Sequence, residues 1–491
     1  MVEPETKKRW QPSRREVLFA SLILGAGVGG ASLATKAAST HAGSLAERKV
    51  GTAAAWPTPA DAERARIAQL LRRTTFGFTP AELESASKDG FERTVELLIE
   101  SPITEPADLI RPDDPTRGAQ LGAEELQRWW LEHMLTSKAR FAERMTYFWH
   151  GHFTSEVDKS GGLFMYWQNL TWRRMALGKL GEMLAAVTVD PAMLMYLDLA
   201  ESDASDPAHL PNENYARELL ELFSMGPGRY TEADVKAAAR ALAGWTTPPA
   251  DSQVEVVTDK DSGAKEMVDV WNRQGPGVFE TARAFPNEVK FLGRSGRLDL
   301  KALVGQVLAR PDTAQFIARK VAVHFISSNP APETIRELAD AYRTSGHDTK
   351  ALLRAALRSR EFSAPQSYRS LVKSPVEFMT SASMAVGLPV KDAVDLMVGY
   401  GDATGEVLFS PPNVAGWPPN RGWISPATVL ARLNFVGQLL SGIDPLPSAA
   451  DAASVHLDGV LGDSTKRRLA AATTEKERWL ALLASPEFQL K

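Results

Sequence analysis

Phe78-Thr79-Pro80-Ala81-Glu82-Leu83 is a helix start written in six residues. Thr79 offers a capping oxygen to an otherwise unbonded backbone N–H, and Pro80 occupies the first helical position, where an N–H would lack a partner in any case. Glu82 stands where its carboxylate reaches back to the Thr79 amide, and Phe78 and Leu83 have the spacing of a hydrophobic staple. The same logic recurs in Tyr230-Thr231-Glu232-Ala233-Asp234-Val235 and in Ser374-Pro375-Val376-Glu377. Between these starts, apolar residues recur at three-and-four intervals: Ile67, Leu70 and Leu71; Val321, Phe325 and Ile326; Leu352, Leu353, Ala356 and Leu357. Capping chemistry and periodicity agree, so the chain is expected to be mainly α, a large multi-helical globular domain.

Two stretches depart from that pattern. From about 253 to 271, Val254 and Val256, then Met267, Val268 and Val270, flank Asp261-Ser262-Gly263, which predicts a small β-hairpin insertion in the helical scaffold. Between Ser410 and Ser425, Pro411, Pro412, Pro418 and Pro419, with Pro426 just beyond, exclude regular helix. The helical domain is expected over 61–440, with 441–491 as a helical extension packed on the same body. No internal repeat is visible.

The first 42 residues read as an address. Lys7, Lys8, Arg9, Arg14 and Arg15 precede a charge-free apolar stretch, Val17 to Ala34, and Ser13-Arg14-Arg15-Glu16-Val17-Leu18 has the twin-arginine pattern. Residues 43–60, rich in Gly, Ala, Pro and Thr, look like a linker. The expected destination is periplasmic or extracellular, with no transmembrane domain in the mature chain. With 491 residues, a large core is available. Lys and Arg total 56 against 60 Asp and Glu, which is not the basic footprint of a nucleic-acid binder. The complete absence of Cys rules out disulfides, thiolate metal sites and Cys nucleophiles.

Three segments carry the residue types that chemistry needs. In Arg144-Met145-Thr146-Tyr147-Phe148-Trp149-His150-Gly151-His152-Phe153, a helix ending at Gly151 would let His150 and His152 converge for proton transfer or metal binding. Core hydrogen bonding is the plainer use of the same imidazoles. In Pro211-Asn212-Glu213-Asn214-Tyr215-Ala216-Arg217-Glu218-Leu219-Leu220-Glu221-Leu222-Phe223, Asn214, Arg217, Glu218 and Glu221 share one helix face. Those groups suit acid–base work or a hard cation, and equally suit ordinary i,i+4 ion pairs. Upstream, Asp198, Glu201, Asp203 and Asp206 add oxygen donors without the spacing of an EF-hand. The third segment, Asn413-Val414-Ala415-Gly416-Trp417-Pro418-Pro419-Asn420-Arg421-Gly422-Trp423, sets two indoles on a rigid loop. That is either a stacking platform for a sugar or a structural plug.

The ordered motifs FGFTPAE, FWHGHF, PNENYARELLELFSMG, YTEADVKAAARALAGW, FLGRSG, FIARKVAVHFIS, VKSPVEFM and PPNVAGWPP resemble the bacterial family catalogued as domain of unknown function 1800, from about residue 60 to 440. The resemblance implies a secreted protein, often encoded beside another exported family, and implies no established reaction. It singles out Trp149, His150, His152, Asn212, Glu213, Asn214, Tyr215, Arg217, Glu218, Asn413, Gly416 and Trp417. One departure stands out: the family often has a His-Asp pair before the FLG motif, where this chain has Ala284-Phe285-Pro286-Asn287-Glu288-Val289-Lys290.

Two functions fit these observations. One is an enzyme, a metal-assisted hydrolase or lyase acting on an envelope or extracellular polymer. His150, His152, Glu213, Asn214, Arg217 and Glu218 would be its catalytic set, with a divalent metal on His150, His152 and Glu218. The other is a non-catalytic envelope protein that binds a polysaccharide or a co-encoded exported partner. Trp149, Tyr215, Asn413, Trp417 and Trp423 are the candidate ligand contacts. Nucleophile elbow, phosphate loop, zincin and dinucleotide patterns are absent from the sequence.

Overall fold

A computed structural model describes residues 56–110, 118, 121–206, 210–257 and 265–491. The address, most of the linker and the Asp261-Ser262-Gly263 turn lie outside the described residues. Among the described residues there are 21 α-helices and only two-stranded antiparallel sheets, so the fold is mainly α. The helix starts form as local chemistry dictates. Thr79 Oγ1 accepts from the Glu82 N–H at 3.2 Å while the Glu82 carboxylate accepts from the Thr79 N–H at 2.7 Å, and Phe78 and Leu83 are both buried. Thr231 with Asp234, and Ser374 with Glu377, close the same reciprocal box. The hairpin insertion pairs Ser252–Val257 with Lys265–Val270, Val254 opposite Val268. Shorter ribbons pair Trp245–Thr246 with Val278–Phe279, and Val289–Phe291 with Arg294–Gly296.

The apolar faces read from the sequence line two hydrophobic cores. One gathers Ile67, Leu70 and Leu71 with Val321, Phe325 and Ile326, and with Leu352, Leu353, Ala356 and Leu357. The other gathers Trp130 and Leu163 with Phe378 and Phe435. It also takes in Trp479, Leu482 and Leu483 from the helix Glu475–Leu483, and Phe488 from the turn beyond it. The helix Arg140–His152 serves both. Phe141, Met145, Phe148 and Trp149 enter the first core, whereas Tyr147 enters the second. Burying a large apolar side chain contributes roughly 1.5–3 kcal/mol, so a helix with aromatic residues on opposite sides is held firmly at the seam. A buried polar brace fixes its first turns. Glu143 accepts from Arg173 Nε at 2.5 Å and from Trp130 Nε1 at 3.0 Å, with His133 Nε2 at 3.3 Å. Burial would raise the Glu143 carboxyl, but His133 and Arg173 outweigh it and hold the pKa below the ordinary value.

No described helix is long and apolar enough to cross a membrane.

Candidate functional site

A cleft of about 220 Å³ opens at the seam between the two cores. Three elements build its walls. The helix Arg140–His152 supplies Tyr147, Phe148 and His152, and the helix Pro311–Phe325 supplies Lys320 and His324, one turn apart on the same face. The capping box of the helix Pro375–Val386 supplies Ser374 and Glu377. Glu406, just past the helix Val390–Thr404, and Lys491 complete the floor, and the proline-rich loop closes one side with Trp417 and Trp423. Lys491 is placed by the strand-like pairing of 371–373 with 489–491, in which its N–H donates to the Leu371 carbonyl at 2.8 Å.

The polar groups of the cleft are linked. The Tyr147 hydroxyl donates to Glu406 Oε1 and lies 2.8 Å from Ser374 Oγ. Glu406 Oε2 accepts from the Val376 N–H at 2.9 Å. Glu377 Oε2 accepts from the Ser374 N–H at 2.6 Å, while Oε1 receives both Arg144 Nη2 and Lys491 Nζ. Phe148 lies between the two imidazoles, stacked 6.1 Å from His152 and edge-on 5.3 Å from His324. The His152 Nε2–H donates to the Phe223 carbonyl at 3.1 Å, which leaves Nδ1 as a bare acceptor; that nitrogen and His324 Nε2 are buried without partners.

Burial governs the protonation states. It pushes Tyr147 well above its ordinary value of 10, with the Glu406 charge adding to the effect. It also lifts Glu406, against the hydrogen bonds from Tyr147 and Val376. Burial, with Lys320 nearby, drives His152 down to about 3, and burial, Arg144 and Lys491 drive His324 well below 6.5. Both imidazoles are therefore neutral at pH 7. The cleft thus combines a phenol–carboxylate pair, neutral imidazoles and two lysine side chains, groups of the kind that transfer protons.

Of the residues singled out in the sequence, His152, Trp417 and Trp423 line this cleft. The helix does not end at Gly151 but runs to His152, so the two histidines diverge. His150 is buried against Trp130 and Trp417, and its Nε2 accepts from the Phe409 N–H at 3.2 Å. Trp149 and Tyr215 are interior. The Trp149 indole donates to the Ala176 carbonyl at 2.9 Å, and the Tyr215 hydroxyl donates to Thr188 Oγ1 at 2.8 Å.

Just past the helix Asn214–Glu221, Phe223 meets the end of the histidine helix through the His152 hydrogen bond and ring contacts with His152 and Phe153. Arg217 spans Glu232, at 2.7 and 2.8 Å, and Glu213, at 3.3 Å. Asn212 Oδ1 caps the Asn214 N–H at 2.8 Å, and the Asn214 amide donates to Asp198, which also holds Lys159 at 2.6 Å. Glu218, half-buried, is raised by that burial and by Glu221. Asp203 holds the Ser205 N–H at 2.9 Å, and Glu201 lies in a short 3-10 turn.

His150, His152 and Glu218 therefore do not form a donor set. Among the described residues, no cluster of three or more His, Asp or Glu side chains is arranged to hold a metal ion. Asn413 shapes the proline-rich loop by accepting from the Ala415 N–H at 2.9 Å, and Gly416, at φ 80°, brings that loop against the Gly151 carbonyl. The stretch 284–290 leads into the short strand Val289–Phe291, with Phe291 buried.

Tyr147, Lys320, His324, Glu377, Glu406 and Lys491 escaped the sequence reading. Glu377 is legible only as a cap. Lys320 and His324 did carry a signal: two basic residues four apart, flanking the apolar positions Val321 and Phe325, mark polar groups pressed against a core.

A mainly α protein with a polar cleft at the seam of two cores is the class these features define. The family model described as "Protein of unknown function (DUF1800)" matches residues 69–490, and the chain belongs to that family. No curated protein and no solved structure matches the chain.

Proposed function

We propose that the seam cleft is an acid–base active site acting on a carbohydrate unit of an envelope or extracellular polymer, by hydrolysis or elimination. The observation that carries this reading is the Tyr147–Glu406 hydrogen bond lying in the same cleft as two neutral imidazoles with unpartnered ring nitrogens. Tyr147 and Glu406 hold and move the proton, His152 Nδ1 accepts, and Trp417 provides a flat wall for a sugar ring. At about 220 Å³ the cleft is smaller than the roughly 300–1,000 Å³ of sites enclosing drug-sized ligands, which suits a single ring of a longer chain. In this reading Glu213, Asn214, Arg217 and Glu218 are surface structure, and the chemistry runs on protons without a metal bound by the histidines. The test is release of new reducing or unsaturated ends from a panel of bacterial polysaccharides. Tyr147→Phe and Glu406→Gln should each lower turnover by about 10²–10⁴. Wild-type rates in both variants would remove the proposal.

The second reading, a non-catalytic binder of a polysaccharide or of a co-encoded exported protein, is favoured by the structural use of His150, Trp149 and Tyr215. Saturable polymer binding or co-purification with the partner, without new chain ends, would select it.

We further propose export by the twin-arginine route to the periplasm or beyond, from the Ser13-Arg14-Arg15-Glu16-Val17-Leu18 pattern. Replacing Arg14 and Arg15 together by Lys should retain the protein in the cytoplasm. Unchanged export of that variant would refute the route.

A further inference from the structure

The buried charges around the cleft do not balance. Arg144 and Lys491 converge on one carboxylate oxygen of Glu377, and the second carboxylate, Glu406, is engaged by Tyr147 and a backbone N–H. Arg432, 1% exposed, donates to the Lys373 carbonyl and to Gln489, and Arg73, fully buried, donates to the carbonyls of Phe325 and Ile326. Lys373 reaches only the Ser381 hydroxyl, at 3.0 Å, and the face of Phe488. Lys320 lines the cleft with no carboxylate in reach, its ammonium 5.4 Å from the Phe316 ring. Arg144 leaves Nε and Nη1 unpartnered.

Glu377 and Glu406 thus face Arg144, Arg432 and Lys491, with Lys320 at the cleft wall, within a protein whose formal net charge is −4. An uncompensated buried charge is strongly unfavourable. Part of the excess can be shed, because burial lowers Lys320, and burial with the neighbouring cations drives Lys373 and Lys491 well below their ordinary values. The guanidinium groups cannot follow, since even burial leaves Arg73 at about 9 and Arg144 and Arg432 at about 10. Arg144 and Arg432 therefore keep their charge beside Glu377 and Glu406, and Lys320 has no carboxylate partner at all.

We infer that the cleft binds an anionic group, and that Lys320, the cation at its wall without a carboxylate partner, is the residue that recognises it. The inference rests on the cleft being the functional site, and it names the substrate class: a sugar unit carrying a carboxylate, phosphate or sulfate rather than a neutral one. The oxyanion would sit between Lys320 and the Lys491–Arg144 pair, with the neutral imidazoles alongside and the ring against Trp417.

The test uses the full purified chain at constant ionic strength. Calorimetric titration and thermal unfolding are followed with glucuronate, inorganic phosphate, sulfate and methyl glucoside. At least one anionic probe should bind saturably and raise the melting temperature, whereas methyl glucoside should not. Preference for glucuronate would assign a carboxylate, and preference for phosphate or sulfate a tetrahedral ester. Lys320→Met should weaken the best anion by about tenfold or more, the usual weight of one charge-assisted hydrogen bond. Because it removes an unneutralised charge, it should also melt no lower than wild type in the absence of ligand. Binding of no anion, equal binding of methyl glucoside, or wild-type affinity in Lys320→Met would each overturn the inference. Tyr147→Phe separates this inference from the acid–base reading. Anion binding retained alongside unaltered turnover would sink the acid–base reading alone, whereas lost turnover with no anion preference would sink this inference alone.

Discussion

The Tyr147 hydroxyl donates to Glu406 Oε1 across a separation of 259 residues. The bond joins the seam helix to the segment following Val390–Thr404, and Ser374 Oγ, 2.8 Å from the same hydroxyl, ties in the Pro375–Val386 helix. One proton cannot serve both neighbours, so Ser374 supplies the second hydrogen of a short chain ending on Glu406. Removing the hydroxyl in Tyr147→Phe takes one hydrogen bond from a buried carboxylate, at a cost of about 1–3 kcal/mol. Chemical denaturation of Tyr147→Phe, Glu406→Gln and the double variant should show coupling of about 1 kcal/mol or more. Strict additivity would mean that the two groups act independently.

Asp190 gives the fold a pH signature. Burial raises its carboxyl to about 7, against hydrogen bonds from Gln168 and the Met193 N–H, both of which end on Oδ1. The folded chain therefore holds this proton more tightly than the unfolded chain. The contribution of Asp190 to stability is fully present below about pH 4, falls as pH rises towards 7, and is level above. Asp190→Asn keeps an oxygen for both donors and removes the charge. It should be the more stable protein at pH 8 by about 1 kcal/mol or more, with the difference vanishing at pH 4. A pH-independent difference would contradict the assignment.

Two glycines in contact should respond in opposite ways to Ala. A Cβ on Gly416 would meet the Gly151 carbonyl at 2.7 Å, and its φ of 80° disfavours any side chain. Gly416→Ala should lower stability by about 1–3 kcal/mol and loosen the proline-rich loop. A Cβ on Gly151 meets nothing within 4 Å, and the residue is inside a helix, so Gly151→Ala should stabilise by up to about 1 kcal/mol. Thermal melts of the pair decide the point, and the same sign in both would refute it.

Ion pairs should divide by depth. Arg217 is about a third exposed, and Arg217→Ala should cost less than about 1 kcal/mol, the difference shrinking in high salt. Arg173 is fully buried against Glu143, and Arg173→Met should cost about 3–5 kcal/mol through the stranded carboxylate. Urea midpoints measured at two salt concentrations would show whether this ordering holds.

The helix starts at Thr79, Thr231 and Ser374 were readable because each depends on partners three residues away. The hairpin strands were readable because apolar residues alternate along them, and Val254 stands opposite Val268. The histidine segment was misread for the opposite reason. Gly151 costs a helix only about 1 kcal/mol, and the burial of Phe148, Trp149 and Phe153 outweighs it, so the helix continues and the imidazoles part. The helix Asn214–Glu221 carries carboxylates beside amides, yet its Arg217 pairs on the surface with Glu213 and Glu232, and Glu221 accepts from Tyr230.

What the amino-acid order determined by itself is the helical class, the helix starts at Thr79, Thr231 and Ser374, several apolar faces, and membership of a family carried by short local motifs. These rest on contacts within a turn or two of the chain, and such contacts are written in adjacent residues. Which polar residues share a cleft was decided only when two separate cores closed on one helix and brought Tyr147, Lys320, Glu377, Glu406 and Lys491 together. Their charges and proton affinities are products of that burial, a property no stretch of sequence has before the chain folds.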